Sequence, residues 1–262
     1  NGVKSMDVHD ISFTMKAIAM LLPRQLASPA DVTTLLQALH VEIQHHVPSL
    51  MLEDVLAVTK AFVSTSSLEP PGIAMELMGA ELLRELRNLK PEQICDTIVA
   101  CSRLRFKQPS LIEGFSLAVT SQLSRFHPKH LALSLHGLTK LDLRDERMLL
   151  QVEKHMVNSL ISFQPRDMAL SLWAFAKATH RSNNIFAAVQ EEINRQDIST
   201  MTPADASMFL WSVSKADAEF NADTLGILAH YVVNNIRSFP VEALVVTCLG
   251  FARLGFAQQP IL

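Results

Sequence analysis

The chain has 262 residues, 48% of them hydrophobic, and a formal net charge of −3, so it has ample apolar side chains for a core. No apolar run approaches the roughly 18 residues that span a bilayer, which excludes membrane insertion. Only 8 glycines stand among abundant Leu, Ala and Met, a balance that suits helices rather than sheets. The three cysteines, Cys95, Cys101 and Cys248, form neither a CxxC pair nor a disulfide framework and read as small core residues.

In chain order, the first helical pattern is VHDISFTMKAIAML from Val8. A second helix is expected in SPADVTTLLQALHVEIQHH, where Ser28 caps and Pro29 and Asp31 suit the first turn. LEDVLAVTKAFV from Leu52 repeats the apolar phase of the Val8 segment, and an irregular loop with Pro70 and Pro71 follows. Both early segments lack the proline and the basic residue of the later copies. From Leu89 onward the pattern becomes regular. Leu89, Phe126, Phe163, Met201 and Phe239 stand where a hydrophobic staple fixes the entry of a helix. Two residues later come Pro91, Pro128, Pro165 and Pro203, the residue type favoured at a first helical position, and Val241 in the last copy. These anchors are 37, 37, 38 and 38 residues apart. Second helices are expected at Gly72–Arg87, Ser110–Leu123, Glu146–Leu160, Asn184–Arg195 and Asp223–Ile236.

A fixed period in this range indicates an all-α solenoid of about six to seven helical hairpins, forming a right-handed superhelix. The expected organisation is a single array over 1–262, with divergent repeats in 1–88 and regular ones in 89–262, the last incomplete. Both ends look cut, so the sequence leaves open a targeting peptide, a terminal cap or a further domain outside it.

Columns across the copies suggest a binding face. At about 100° per residue, offsets three, seven, ten, eleven and fourteen from each anchor share an apolar face. The opposite face holds offset six, mostly hydroxyls, with Thr97, Ser134, Ser171, Phe209 and Thr247, and offset nine, with Ala100, Gly137, Ala174, Ser212 and Gly250. Offset twelve is basic in all five copies: Arg103, Lys140, Lys177, Lys215 and Arg253. Offset sixteen adds Lys107, Arg144 and Arg181. Small and hydroxyl residues flanked by cations would let a phosphate backbone approach, the cations neutralising phosphates and Thr97, Ser134 and Ser171 contacting sugars or base edges. Residues 100–181 hold twelve Lys or Arg against six Asp or Glu, hence +6, inside an otherwise acidic chain. The same columns also admit structural readings. The cations suit helix C-termini, and the small residues allow neighbouring helices to pack closely. Trp173 and Trp211, at offset eight, serve as inter-repeat core or as base-stacking platforms. His127 and His130 flank Pro128 without a further ligand nearby, so a capping role is expected and no metal. No nucleophile triad, glycine-rich phosphate loop or paired-carboxylate motif stands out; neither catalysis, a cofactor nor a small-molecule substrate is expected.

The segments PRDMALSLWAFAKATH, PKHLALSLHGLTKLDL and PADASMFLWSVSKADA resemble the first helices of octotricopeptide and heptatricopeptide repeats, a group related to the FAST-kinase-like proteins that carry a RAP domain. The resemblance is best over residues 89–262. It implies an organellar RNA-binding protein, mitochondrial or alternatively plastid, that binds and stabilises RNA. The partner would be single-stranded or ribosomal RNA, with organellar ribosomal proteins as neighbours. The alternatives are a protein-binding scaffold in an organellar complex and an mRNA processing or stability factor.

Overall fold

The structure is a computed structural model that describes residues 6–21, 34–35, 38–39, 41–42, 54, 72–180 and 182–256. The expected helix from Ser28, the copy from Leu52 and the loop around Pro70 lie outside these residues, except for short helical pieces. Among the described residues every regular element is helical, and no helix is long and apolar enough to cross a membrane.

The α-helices are α1 (Val8–Leu21), α2 (Gly72–Glu85), α3 (Pro91–Arg103), α4 (Pro109–Ser121), α5 (Pro128–Lys140), α6 (Glu146–Ser159), α7 (Pro165–Lys177), α8 (Asn183–Ile193), α9 (Pro203–Ala216), α10 (Ala222–Asn234) and α11 (Val241–Arg253). Helices α2, α4, α6, α8 and α10 each start within a residue of the expected position and end one or two residues earlier. The difference has a local cause: a 3₁₀ turn follows each of them, at Leu86–Asn88, Leu123–Arg125, Leu160–Ser162, Ile198–Thr200 and Ile236–Ser238. In each turn the staple residue donates its N–H to the carbonyl three residues back, as Phe163 does to Leu160 at 2.8 Å. All five staple residues are buried.

The chain divides into two compact units, Asn1–Ala118 and Val119–Leu262, with the boundary inside α4. In the first unit, α3 buries Ile94, Ile98 and Cys101, which stand at offsets three, seven and ten. Burial pushes the Cys101 thiol up to about 12, so it is a packing group and not a nucleophile.

In the second unit α5 packs on α7, α7 on α9, and α9 on α11; α6 packs on α8. Leu131, Leu135 and Leu138 on α5, and Met168, Leu172 and Phe175 on α7, fill the apolar face at the same offsets. Helix starts are closed locally. Asp167 accepts from the Gln164 N–H at 3.3 Å, and Asp205 and Thr202 cap each other's N–H groups.

Helix ends are equally regular. The residue at offset fourteen is left-handed in the five regular copies: Arg105, Asp142, Thr179, Asp217 and Gly255, with φ from 53° to 67°. The next N–H then reaches five residues back, Phe106 to Cys101, Leu143 to Leu138, His180 to Phe175, Ala218 to Val213 and Phe256 to Phe251, at 2.9–3.2 Å. This is a Schellman closure, which satisfies carbonyls the helix leaves open. Offset fourteen therefore leaves the helix, and its residues are exposed instead of joining the expected apolar face.

Candidate nucleic-acid interface

Helices α5, α7 and α9 are crowded by their neighbours, so only a narrow strip of each meets solvent. On α7 that strip is Arg166, Trp173 and Lys177, at offsets one, eight and twelve. On α5 it includes Lys129, Leu133, His136 and Lys140, and on α9 Ala204, Met208, Trp211 and Lys215. The free face thus runs along offsets one, eight and twelve, with offset five added on α5 and α9.

This corrects the face expected from the sequence. Thr97 is 1% exposed, and Ser134 and Ser171 are fully buried, so none of the three is on the surface to touch a sugar or base. Thr97 and Ser171 donate to carbonyls of their own helix, Gln93 at 2.7 Å and Asp167 at 2.8 Å. Ser134 Oγ is buried without a partner. The offset-nine residues are buried as well, and Gly250 shows why they are small. A Cβ there would lie 3.0 Å from Leu210 Cβ and 3.2 Å from its backbone carbon. The small column is where one first helix seats on the next.

The basic column is exposed in full, at Arg103 in the first unit and at Lys140, Lys177, Lys215 and Arg253 in the second. Four of these cations are the last residue of their helix and Lys215 is next to last, where the helix dipole favours positive charge. Among the described residues, Lys140, Lys177, Lys215 and Arg253 enter no ion pair. Lys107 and Arg144 are exposed too, whereas Arg181 lies outside the described residues. Arg144 and Lys177 share the rim of a cleft of about 510 Å³ with Asp142 and Glu146. Lys215 lines the next cleft, of about 550 Å³, with Thr179, His180 and Asp217. Both clefts mix charges of either sign, so the cationic signal belongs to the strip and not to the clefts.

The strip has an aromatic centre at offset eight, where the sequence leaves inter-repeat core and base-stacking platform both open. His136, Trp173 and Trp211 occupy offset eight on α5, α7 and α9, each half-buried. Their ring centroids are 4.7 Å apart from His136 to Trp173 and 6.1 Å from Trp173 to Trp211. Burial, aided by the nearby Lys140 charge, pulls the His136 pKa down to about 4. The ring is therefore uncharged at neutral pH. Arg166, on the same strip, stands 3.9 Å from the buried Asp205 through Nε.

Two histidine clusters do not belong to this strip. His127 Nδ1 accepts from the Lys129 N–H at 3.3 Å, a helix cap. His180 is buried with Nδ1 2.6 Å from Glu146 Oε1 and Nε2 2.7 Å from Glu153 Oε2, and Ser182 also donates to Glu153. This group ties the end of α7 to α6. Among the described residues no group of three or more His, Cys, Asp or Glu is placed to hold a metal ion.

No protein-family model matches the chain, and no curated protein matches it in sequence.

Proposed function

We propose that this chain is a non-catalytic RNA-binding protein, an α-solenoid of helical hairpins with a period of 37–38 residues. The observation that carries the reading is the exposed column Lys140, Lys177, Lys215 and Arg253, four cations that enter no ion pair among the described residues, at equivalent positions on helices packed in series. A row of that kind neutralises successive phosphates and releases their counterions. Arg103 and Arg144 are further exposed cations available for phosphate contact, and Lys107 is exposed as well. Following the octotricopeptide and heptatricopeptide resemblance, the proposed location is the mitochondrion, or alternatively a plastid. The proposed role is to bind and stabilise RNA there, with ribosomal RNA and transcripts under processing as candidate ligands.

The test is the anisotropy of a labelled RNA titrated with the intact chain over a series of salt concentrations. Replacing Lys177→Glu and Lys215→Glu together should weaken binding and make the log–log salt slope shallower by at least about 1.4, the share of two phosphate contacts on a single strand. Unchanged affinity and slope would overturn the proposal. A protein-binding scaffold is the second reading, supported by the exposed apolar residues Val241, Val245 and Leu249 on α11. A scaffold would show no such salt dependence.

A further inference from the structure

We infer that His136, Trp173 and Trp211 form a stacking stripe for unpaired bases, which makes the ligand single-stranded RNA read along α5, α7 and α9. This rests on the RNA-binding reading above and adds to it which part of the nucleotide is held, and where.

The three rings occupy one position on three successive helices and touch in series, so they make a continuous π surface instead of three separate side chains. Only part of each ring is covered. Phe175, two residues beyond Trp173, is fully buried, so the fold has an interior place for an aromatic ring and puts the tryptophans elsewhere. The centroid spacings leave no room for a base to slide between neighbouring rings. Bases therefore lie on the outward side of the stripe, and three rings accommodate about two or three of them.

The cations are set at a matching distance. Offset twelve follows offset eight by one helical turn, about 6 Å along the axis. A phosphate held by Lys140, Lys177 or Lys215 thus lets its own base reach the ring of the same helix. On the other side Lys129 and Arg166 are exposed at offset one. His136 carries no charge at neutral pH, so it joins the stripe as a flat ring and not as a further cation. A duplex hides its base faces in its own stack and offers only phosphate and sugar, so it gains nothing from the stripe. Leu249 occupies the equivalent position on α11 and ends the aromatic run there.

The chain contains two tryptophans, and both are in the stripe. Their emission therefore reports on this surface directly. The experiment follows Trp emission and label anisotropy together while the intact protein binds a short labelled oligoadenylate, then an RNA duplex of the same length. The single strand should raise anisotropy and quench the tryptophans, and the duplex should bind more weakly with little quenching. Trp173→Leu and Trp211→Leu should each weaken single-strand binding about tenfold, while Trp173→Phe and Trp211→Phe, which keep a ring, should stay near wild type. The Phe variants keep the test decisive if a Leu variant fails to fold, because loss of their binding at intact helicity contradicts simple stacking. Single-strand binding without quenching, or at full strength in the Leu variants, would overturn the stripe and leave the cation column standing. If neither RNA binds, both readings fall.

Discussion

Helices α7 and α11 carry the same sentence in different surroundings. Both place apolar residues at offsets three, seven and ten: Met168, Leu172 and Phe175 in one, Leu244, Cys248 and Phe251 in the other. In α7 ten residues are buried, from Pro165 to Ala176. In α11 only Thr247 and Gly250 are. The difference is one of neighbours: α7 sits between α5 and α9, whereas α11 is packed against α9. Burial in this fold is thus conferred by the adjacent helix more than by the helix's own pattern.

The largest expected effect sharpens that contrast. Phe175→Ala should destabilise the second unit by about 3–5 kcal/mol, because it leaves a cavity between packed helices. Leu249→Ala, at a side chain 52% exposed, should cost no more than about 0.5 kcal/mol. Urea unfolding followed by tryptophan emission measures both, since Trp173 and Trp211 lie in the second unit. A comparable loss in the two variants would mean that α11 is covered in solution.

A smaller effect compares the turns that end the same two helices. Thr179 is held at φ 56° and Gly255 at φ 67°. A β-branched residue in that region carries a penalty that glycine does not. Thr179→Gly should raise stability by about 1 kcal/mol, and Gly255→Thr should lower it by a similar amount. Thermal unfolding reads the two signs, and a loss in both would show that the Thr179 Oγ1 bond to the Ala178 carbonyl outweighs the strain.

A further effect depends on pH and lies on α5. The unfolded chain takes up a proton on His136 near the ordinary value of 6.5, while the folded chain resists until about 4. The unfolded state binds more protons in that window, so stability falls as pH drops from 6.5 towards 4 and then levels off. His136→Gln should remove this part of the decline. A pH–stability curve unchanged by the substitution would mean that the ring is open to water.

Much of the architecture was legible in the sequence because staples, prolines and terminal cations act within one turn. The starts at Pro91, Pro128, Pro165 and Pro203 follow from proline's fixed φ and missing N–H. The exposed face was misread by one column. Helical spacing gives the angle between Ser171, Ala174 and Trp173, but not how many sides of the helix are taken. With neighbours on both flanks and a second helix behind, the small residues go inward and the larger half-apolar rings are left at the rim. The left-handed residues were missed because Arg105, Asp142, Thr179 and Asp217 share no chemistry that marks the turn; only Gly255 does. The common signal was their fixed offset from the anchor.

Those turns also bear on how the chain comes to its form. Each joint is closed by backbone bonds spanning three to five residues, from Phe106 to Cys101 through Phe256 to Phe251. Little loop entropy opposes such closures, so each helix end can be set before distant residues meet. Within the second unit, a chain emerging from its N-terminus can then close each helix end before the next helix packs on it.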